Sequence, residues 1–195
     1  RSAAAVVPAA APRTEGYTPP TDAKALEEIK RVAYSLRKYT NDPVLAQRIA
    51  GSIVVEGGKR NINPALLVGV LLTEDAKLDP RAKSSVGARG LMQVMPFHAG
   101  KWKGCTSNDL ADISSNICYG TSILADYIRR APSLEKALLN YNGCVRGTKT
   151  PRCHTYSGKV LRFAVQAGRQ MVTRRLRDPG PGEEELVGTL EGPEA

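Results

Sequence analysis

Nowhere does the 195-residue chain hold an unbroken apolar run near the roughly 18 residues that a membrane-crossing helix needs; the longest apolar helix candidate, Leu66 to Leu72, is far shorter. Membrane contact is therefore expected only through an anchor outside this sequence. The chain starts at Arg1 rather than Met, so an export signal or lipid anchor removed upstream would not be visible in it, and export is argued indirectly. Aromatic residues are scarce, ten in all and only two of them Phe, and no short segment interleaves them with basic residues. A base-stacking platform needs that interleaving, so no nucleic-acid partner is expected. Close cysteine pairs of the Cys-x-x-Cys kind are also missing, and His154 beside Cys153 with the distant His98 is a poor set of zinc ligands, so no metal is expected. Period-two alternation is missing too, which argues against a substantial sheet.

What is present begins with charge. There are 28 Lys and Arg against 19 Asp and Glu, a formal net charge of +9. From Asp178 onward stand six acids and no base, so residues 1–177 carry 28 bases against 13 acids, a net +15. A surface this basic attracts polyanions: nucleic acid, phospholipid or anionic cell wall. Charge alone does not choose among them. Four cysteines, at 105, 118, 144 and 153, allow three pairings. Disulfides in an oxidising compartment are the expectation. Cys105 with Cys118 and Cys144 with Cys153 each close a short loop that can staple a connection between helices.

Three segments are distinguished. Residues 1–20, rich in Ala and Pro, read as a spacer. Residues 178–195, acidic with Gly and Pro, read as a disordered or loosely docked tail. Between them, 21–177 reads as one mostly α domain, since its apolar residues recur at helical spacing. Leu26, Ile29, Ala33 and Leu36 mark the face of a first helix opened by Thr21 and Asp22. A second helix starts at Asp42 and Pro43 and is expected to end at Gly57 and Gly58; a third starts at Asn63 and Pro64. Later come a helix through Ile117 and Ile128 stopped by Pro132, one capped by Ser133 with Leu134, Leu138 and Tyr141 on a stripe, and a last one from Tyr156 to Arg177. That last helix puts Val160, Phe163, Ala167 and Met171 on one side and Lys159, Arg162, Arg169, Arg174 and Arg175 mainly on the others, a face suited to solvent or to an anionic wall or membrane.

Leu67, Val70 and Leu71 precede Glu74 by seven, four and three residues, so its carboxyl shares their apolar face. Apolar neighbours disfavour the ionised form, and a raised pKa is what a general acid needs near neutral pH. The same position also suits a helix-end carboxylate reaching solvent or an Arg. The run from Ser84 to Pro96, Ser-Ser-Val-Gly-Ala-Arg-Gly-Leu-Met-Gln-Val-Met-Pro, reads as a structured loop. In it Gly87 and Gly90 permit close backbone approach to a ligand or to the helix bearing Glu74, Ser84 and Gln93 offer hydrogen bonds, and Met95 offers an apolar contact.

Glu74 followed by Leu78-Asp79-Pro80 and then by Ser84 through Pro96 resembles the signature of the soluble lytic transglycosylase family, whose lysozyme-like helical fold is shared with goose-type lysozymes. A second match, Ala137-Leu138-Leu139-Asn140-Tyr141-Asn142-Gly143, resembles the family's Tyr-Asn-x-Gly region with its active-site tyrosine. Together the matches span about Ile62 to Val160. The chain departs from the pattern where Asp75 replaces the usual Ser after the catalytic Glu, where Pro80 stands one residue further from the Glu than is commonest, and where Gly143-Cys144 replaces a Gly-Pro turn.

The resemblance implies a catalytic cleft that takes peptidoglycan glycan strands in an exported, periplasmic or envelope protein, with no cofactor. It implies cleavage of the β-1,4 bond between N-acetylmuramic acid and N-acetylglucosamine with a 1,6-anhydro end, Glu74 serving as acid then base and Tyr141 orienting the intermediate or stabilising charge. Ser84, Gln93, Met95, Asn142 and backbone groups at Gly90 would hold the sugars. A hydrolytic muramidase on the same fold is the nearest alternative, with Asp75, Asp79, Asp109 or Asp112 as the second carboxylate. A wall-binding or assembly protein without catalysis, working with an envelope or secretion-machine partner, is another.

Overall fold

A short polar side chain closes the first turn of five of the helices seen in the computed structural model, which describes residues 22–144 and 153–177. Asp22 accepts from the Ala25 amide at 2.8 Å and opens α1, Ala23–Leu36. Asp42 accepts from the Val44 and Leu45 amides at 2.9 and 3.0 Å, and Pro43 begins α2, Pro43–Arg60. Asn63 accepts from Ala65 at 2.8 Å ahead of α3, Pro64–Glu74. Asp112 caps α4, Ile113–Arg130, and Ser133 caps α5, Leu134–Tyr141. Helix α6, Tyr156–Arg177, follows a single 3-10 turn at Cys153–Thr155. Each cap satisfies an amide that the first helical turn leaves without an internal partner. Among the described residues the only β pairing is a pair of isolated bridges, Lys83 with Arg89 and Arg89 with Val94.

The second helix runs past its expected end. Gly57 and Gly58 are helical, and α2 stops only at Asn61, whose backbone is left-handed with φ of 51°. Glu56 holds Lys59 at 2.7 Å and also pairs with Arg60, ion pairs at i+3 and i+4 that offset part of the helix weakness of two glycines, and Gly57 is packed so closely that a Cβ would stand 2.8 Å from the Ile62 carbonyl oxygen and 3.2 Å from Leu67 Cδ1. Asn tolerates the left-handed stop. Leu26 and Leu134, placed on buried faces by their spacing, are each 39% exposed because they sit in the first turn of their helices, beyond the neighbours that cover the later turns. Thr21, the Ala/Pro-rich segment and the acidic tail lie outside the described residues.

Helix α3 is the middle of the domain. Leu67, Val68, Val70 and Leu71 are fully buried, so cutting Leu71 to Ala should cost on the order of 2–5 kcal/mol. Its most extensive partner is α6, which crosses at Gly69: a Cβ there would stand 2.5 Å from the Val160 carbonyl oxygen and 3.0 Å from the Ala164 Cβ. Only glycine lets the two backbones meet that closely. Helices α1, α2 and α4 complete the core, and α5 packs against α4 and α6. The long connection between α3 and α4 is fixed from α4. The Tyr119 hydroxyl accepts from the Gly100 amide at 2.9 Å and donates to Asn108 Oδ1 at 3.0 Å, and Cys105 is bonded to Cys118. The second disulfide joins Cys144 to Cys153 and so ties the end of α5 to the turn before α6.

Candidate active site

Helix α3 ends on Glu74, and two other helices, α5 and α6, bring groups near its carboxyl. Tyr156, the first residue of α6, donates its hydroxyl to Glu74 Oε1 at 2.5 Å. Lys159, one turn further on, donates to the Thr73 carbonyl at 3.4 Å and sets a positive charge near the acid. Tyr141, the last residue of α5, donates to the Met92 carbonyl at 2.9 Å and feels the charge of Glu74. The ends of three helices therefore converge on a single carboxyl, and the loop that holds Met92 is tied to them through Tyr141.

Its electrostatics follow from this enclosure. Glu74 is part-exposed as a residue, but its carboxyl is largely withdrawn from water, and desolvation raises its pKa from 4.5 to about 7. The Tyr156 hydrogen bond and the Lys159 charge both act downward and do not cancel that effect. The two tyrosines move the same way: burial first, then the Glu74 charge, pushes the hydroxyls of Tyr141 and Tyr156 well above the ordinary tyrosine range. Both stay protonated hydrogen-bond donors across neutral pH. A protonated carboxyl near neutrality beside two fixed hydroxyls can give up a proton to an oxygen and later take one back.

The run from Ser84 to Pro96 is a loop, and most of its polar capacity goes into its own shape. Ser84 Oγ accepts from the Ala88 amide at 3.0 Å, while Arg89 and Val94 exchange backbone bonds at 2.9 Å in each direction. Gln93 adopts a left-handed backbone, φ 46°, and its Nε2 donates to the Gly90 carbonyl at 2.9 Å. A non-glycine residue held there is backbone strain of the kind that concentrates at ligand sites.

The loop's anchor is Asn116 of α4, a buried residue that sequence reasoning missed. Its Nδ2 donates to the Arg89 and Leu110 carbonyls, each at 2.9 Å, and its Oδ1 accepts from the Met92 amide at 2.8 Å. Gly90 fits over this amide. It is buried with φ of 69°, and a Cβ would lie 2.4 Å from Asn116 Nδ2 and 2.5 Å from the Leu110 oxygen. The close approach at Gly90 is thus to the start of α4. Through Asn116 the position of Met92 is set, and through the Met92 carbonyl that of Tyr141.

Tyr156 is the other residue sequence reasoning missed: it stands 82 positions from Glu74, and its own surroundings mark only the start of a helix. A weak signal existed in Cys153 three residues earlier, since the disulfide to Cys144 brings the start of α6 back beside Tyr141. Of the other expected residues, Met95 is half-buried and leads into a 3-10 turn at Pro96–His98, and Asn142 is half-buried as the C-cap of α5.

All four carboxylates considered as partners for Glu74 are occupied in holding backbone. Asp75 accepts from the amides of Lys77 and Asp79 at 3.1 and 2.6 Å; Asp79 accepts from Arg81 at 2.8 Å. Asp109 accepts from Ala111 at 2.8 Å, and Asp112 from Ser115 at 2.7 Å. Asp79, Asp109 and Asp112 line a groove of about 500 Å³ with Arg48 and Arg81, and Glu74 is not among its lining residues. Among the described residues no group of His, Cys, Asp and Glu is arranged to hold a metal ion.

The sequence matches known proteins over the same elements. A transglycosylase of Enterobacteria phage PRD1 is 37% identical over 106 residues, which cover 52% of this chain and 37% of the phage protein, so this chain matches well under half of that relative's length. The family model described as "Transglycosylase SLT domain" matches residues 52–158, more than half of the chain, a span that runs from within α2 to the first turn of α6 and holds Glu74, the Ser84–Pro96 loop, Tyr141 and Tyr156. With the carboxyl, the loop and both tyrosines all inside that match, this chain belongs to the transglycosylase SLT domain family.

Proposed function

We propose that this protein is a lytic transglycosylase that cuts the β-1,4 bond between N-acetylmuramic acid and N-acetylglucosamine in peptidoglycan and leaves 1,6-anhydromuramic ends. The observation that carries the proposal is a single desolvated carboxyl, Glu74, with a pKa near 7 and the Tyr156 hydroxyl on its Oε1. Protonated, Glu74 donates to the glycosidic oxygen while positive charge builds at the muramic C1, aided by the substrate's own N-acetyl oxygen. The bond breaks and the leaving sugar departs as an alcohol. Glu74, now a carboxylate, takes the proton of the C6 hydroxyl, whose oxygen closes on C1; no water is consumed and the acid is regenerated.

Tyr156 holds the carboxyl in line and stabilises it when charged, and Tyr141, fixed to Met92, faces the developing charge. Gln93, Met95 and Asn142 contact the sugars. Ser84 and Gly90 act chiefly by shaping the loop, since their contacts are internal to it or to α4. A hydrolytic muramidase needs a second carboxylate free to activate water across the sugar. The capping roles of Asp75, Asp79, Asp109 and Asp112 favour the non-hydrolytic route. The two disulfides suit an exported protein of the periplasm or cell envelope, where the glycan strands are.

The test is digestion of purified peptidoglycan by the protein and by Glu74→Gln, with muropeptides identified by mass. Anhydro products that vanish in the variant support the proposal. Reducing ends dependent on Glu74 would make the protein a muramidase, and identical silence from both would point to a binding role.

A further inference from the structure

The outer face of α6 takes no part in the site, and among the described residues nothing covers it. Leu161, Val165, Val172 and Leu176 are 40, 56, 56 and 70% exposed. Their spacings, at about 100° and 1.5 Å per residue, put them within about 60° of one another around the helix and along about 22 Å of its length. Arg162 and Arg169 stand together on one edge of this stripe, both exposed. Helix α3 packs on a different side, through Val160 and Ala164.

An apolar stripe edged by arginines has few suitable partners. A second copy would bring two arginine-edged stripes together and set like charges opposite each other. A wall polyanion matches the charge but offers nothing apolar to Leu and Val. An anionic bilayer surface offers both: phosphates for the guanidiniums at the rim, and the boundary of the acyl region for the four aliphatic side chains between them. The chain's net charge of +9 adds attraction at longer range. We infer that the outer face of α6 docks on the surface of an anionic phospholipid membrane. Only side chains enter the headgroup layer, in keeping with the finding that no described helix is long and apolar enough to cross a bilayer.

The experiment is co-sedimentation of the full chain with vesicles of phosphatidylglycerol and phosphatidylcholine, and with phosphatidylcholine alone. The variants are Val165→Glu with Val172→Glu, Arg162→Ser with Arg169→Ser, and a control pair, Lys24→Ser with Lys136→Ser, which removes equal charge from exposed positions away from α6. All replaced residues are exposed, and circular dichroism checks that each variant is folded. The expected result is binding to the anionic vesicles alone, weakened about tenfold by either α6 pair and changed less than about twofold by the control pair. Three results would overturn it: no binding to anionic vesicles, equal loss from the control pair, which would make it net charge alone, or a dimer in light scattering that the Val165/Val172 pair dissolves. The reading is independent of glycan cleavage, because vesicle binding is measured without substrate.

Discussion

Replacing Glu74 by Gln should stabilise the protein, and by an amount that grows with pH. The folded-state pKa of about 7 lies above the ordinary 4.5, so between these values the folded protein holds a proton that the unfolded chain has released. Stability then falls as pH rises through that window, and the loss is complete above the folded pKa. A gap of about 2.5 pH units corresponds to at most about 3 kcal/mol at 1.36 kcal/mol per unit. Because Glu74 is part-exposed, solvent lowers this, and about 2 kcal/mol is the figure expected. Gln is isosteric, carries no charge to desolvate, and keeps an oxygen to accept from Tyr156. Urea unfolding of the two proteins at pH 4 and pH 8 measures the difference. At pH 4 the midpoints should agree closely; at pH 8 the Gln variant should unfold about 1 M later, given a urea dependence of 1–3 kcal/mol per M. A difference that does not vary with pH, or a Gln variant less stable at pH 8, would refute the claim that the carboxyl is held at a desolvation cost.

Removing the Tyr156 hydroxyl with Tyr156→Phe deletes a bond that lowers the Glu74 pKa, so the alkaline limb of the cleavage rate should move upward from pH 7 while the maximal rate falls about tenfold or more; a pH–rate profile of both proteins reads the two effects. Gly90→Ala should cost about 2–4 kcal/mol in thermal or urea unfolding, because φ is 69° and the new Cβ meets Asn116 Nδ2 at 2.4 Å and the Leu110 oxygen at 2.5 Å.

Much of this molecule can be read from the order of its residues because the cues are local. Asp22, Asp42, Asn63 and Ser133 each announce a helix through an amide only two or three positions away, and the helical spacing of Leu67, Val70, Leu71 and Glu74 fixes one face of α3 whatever packs on it. Short cysteine separations favoured the pairings found, since few residues intervene. Where a local cue was outvoted, as at Gly57 and Gly58, the partners lie beyond them: Lys59 and Arg60, paired with Glu56, and Ile62 and Leu67, packed against Gly57.

The candidate site divides along the same line. Sequence offered Glu74 with two readings, a desolvated acid or a solvated helix end, because helical spacing gives the direction of a side chain and not what covers it. Only the packing of α6 over α3 at Gly69 brings Tyr156 and Lys159 to the carboxyl, from 82 and 85 residues away in the chain. Only tertiary structure, likewise, ties Tyr141 to Met92 and turns Gly90 toward Asn116. Composition and spacing determined a basic, helical, disulfide-bonded domain carrying one acid on an apolar face. The pKa of that acid belongs to the fold, because it depends on desolvation and charge at distances of a few ångströms, and these arise between segments far apart in sequence.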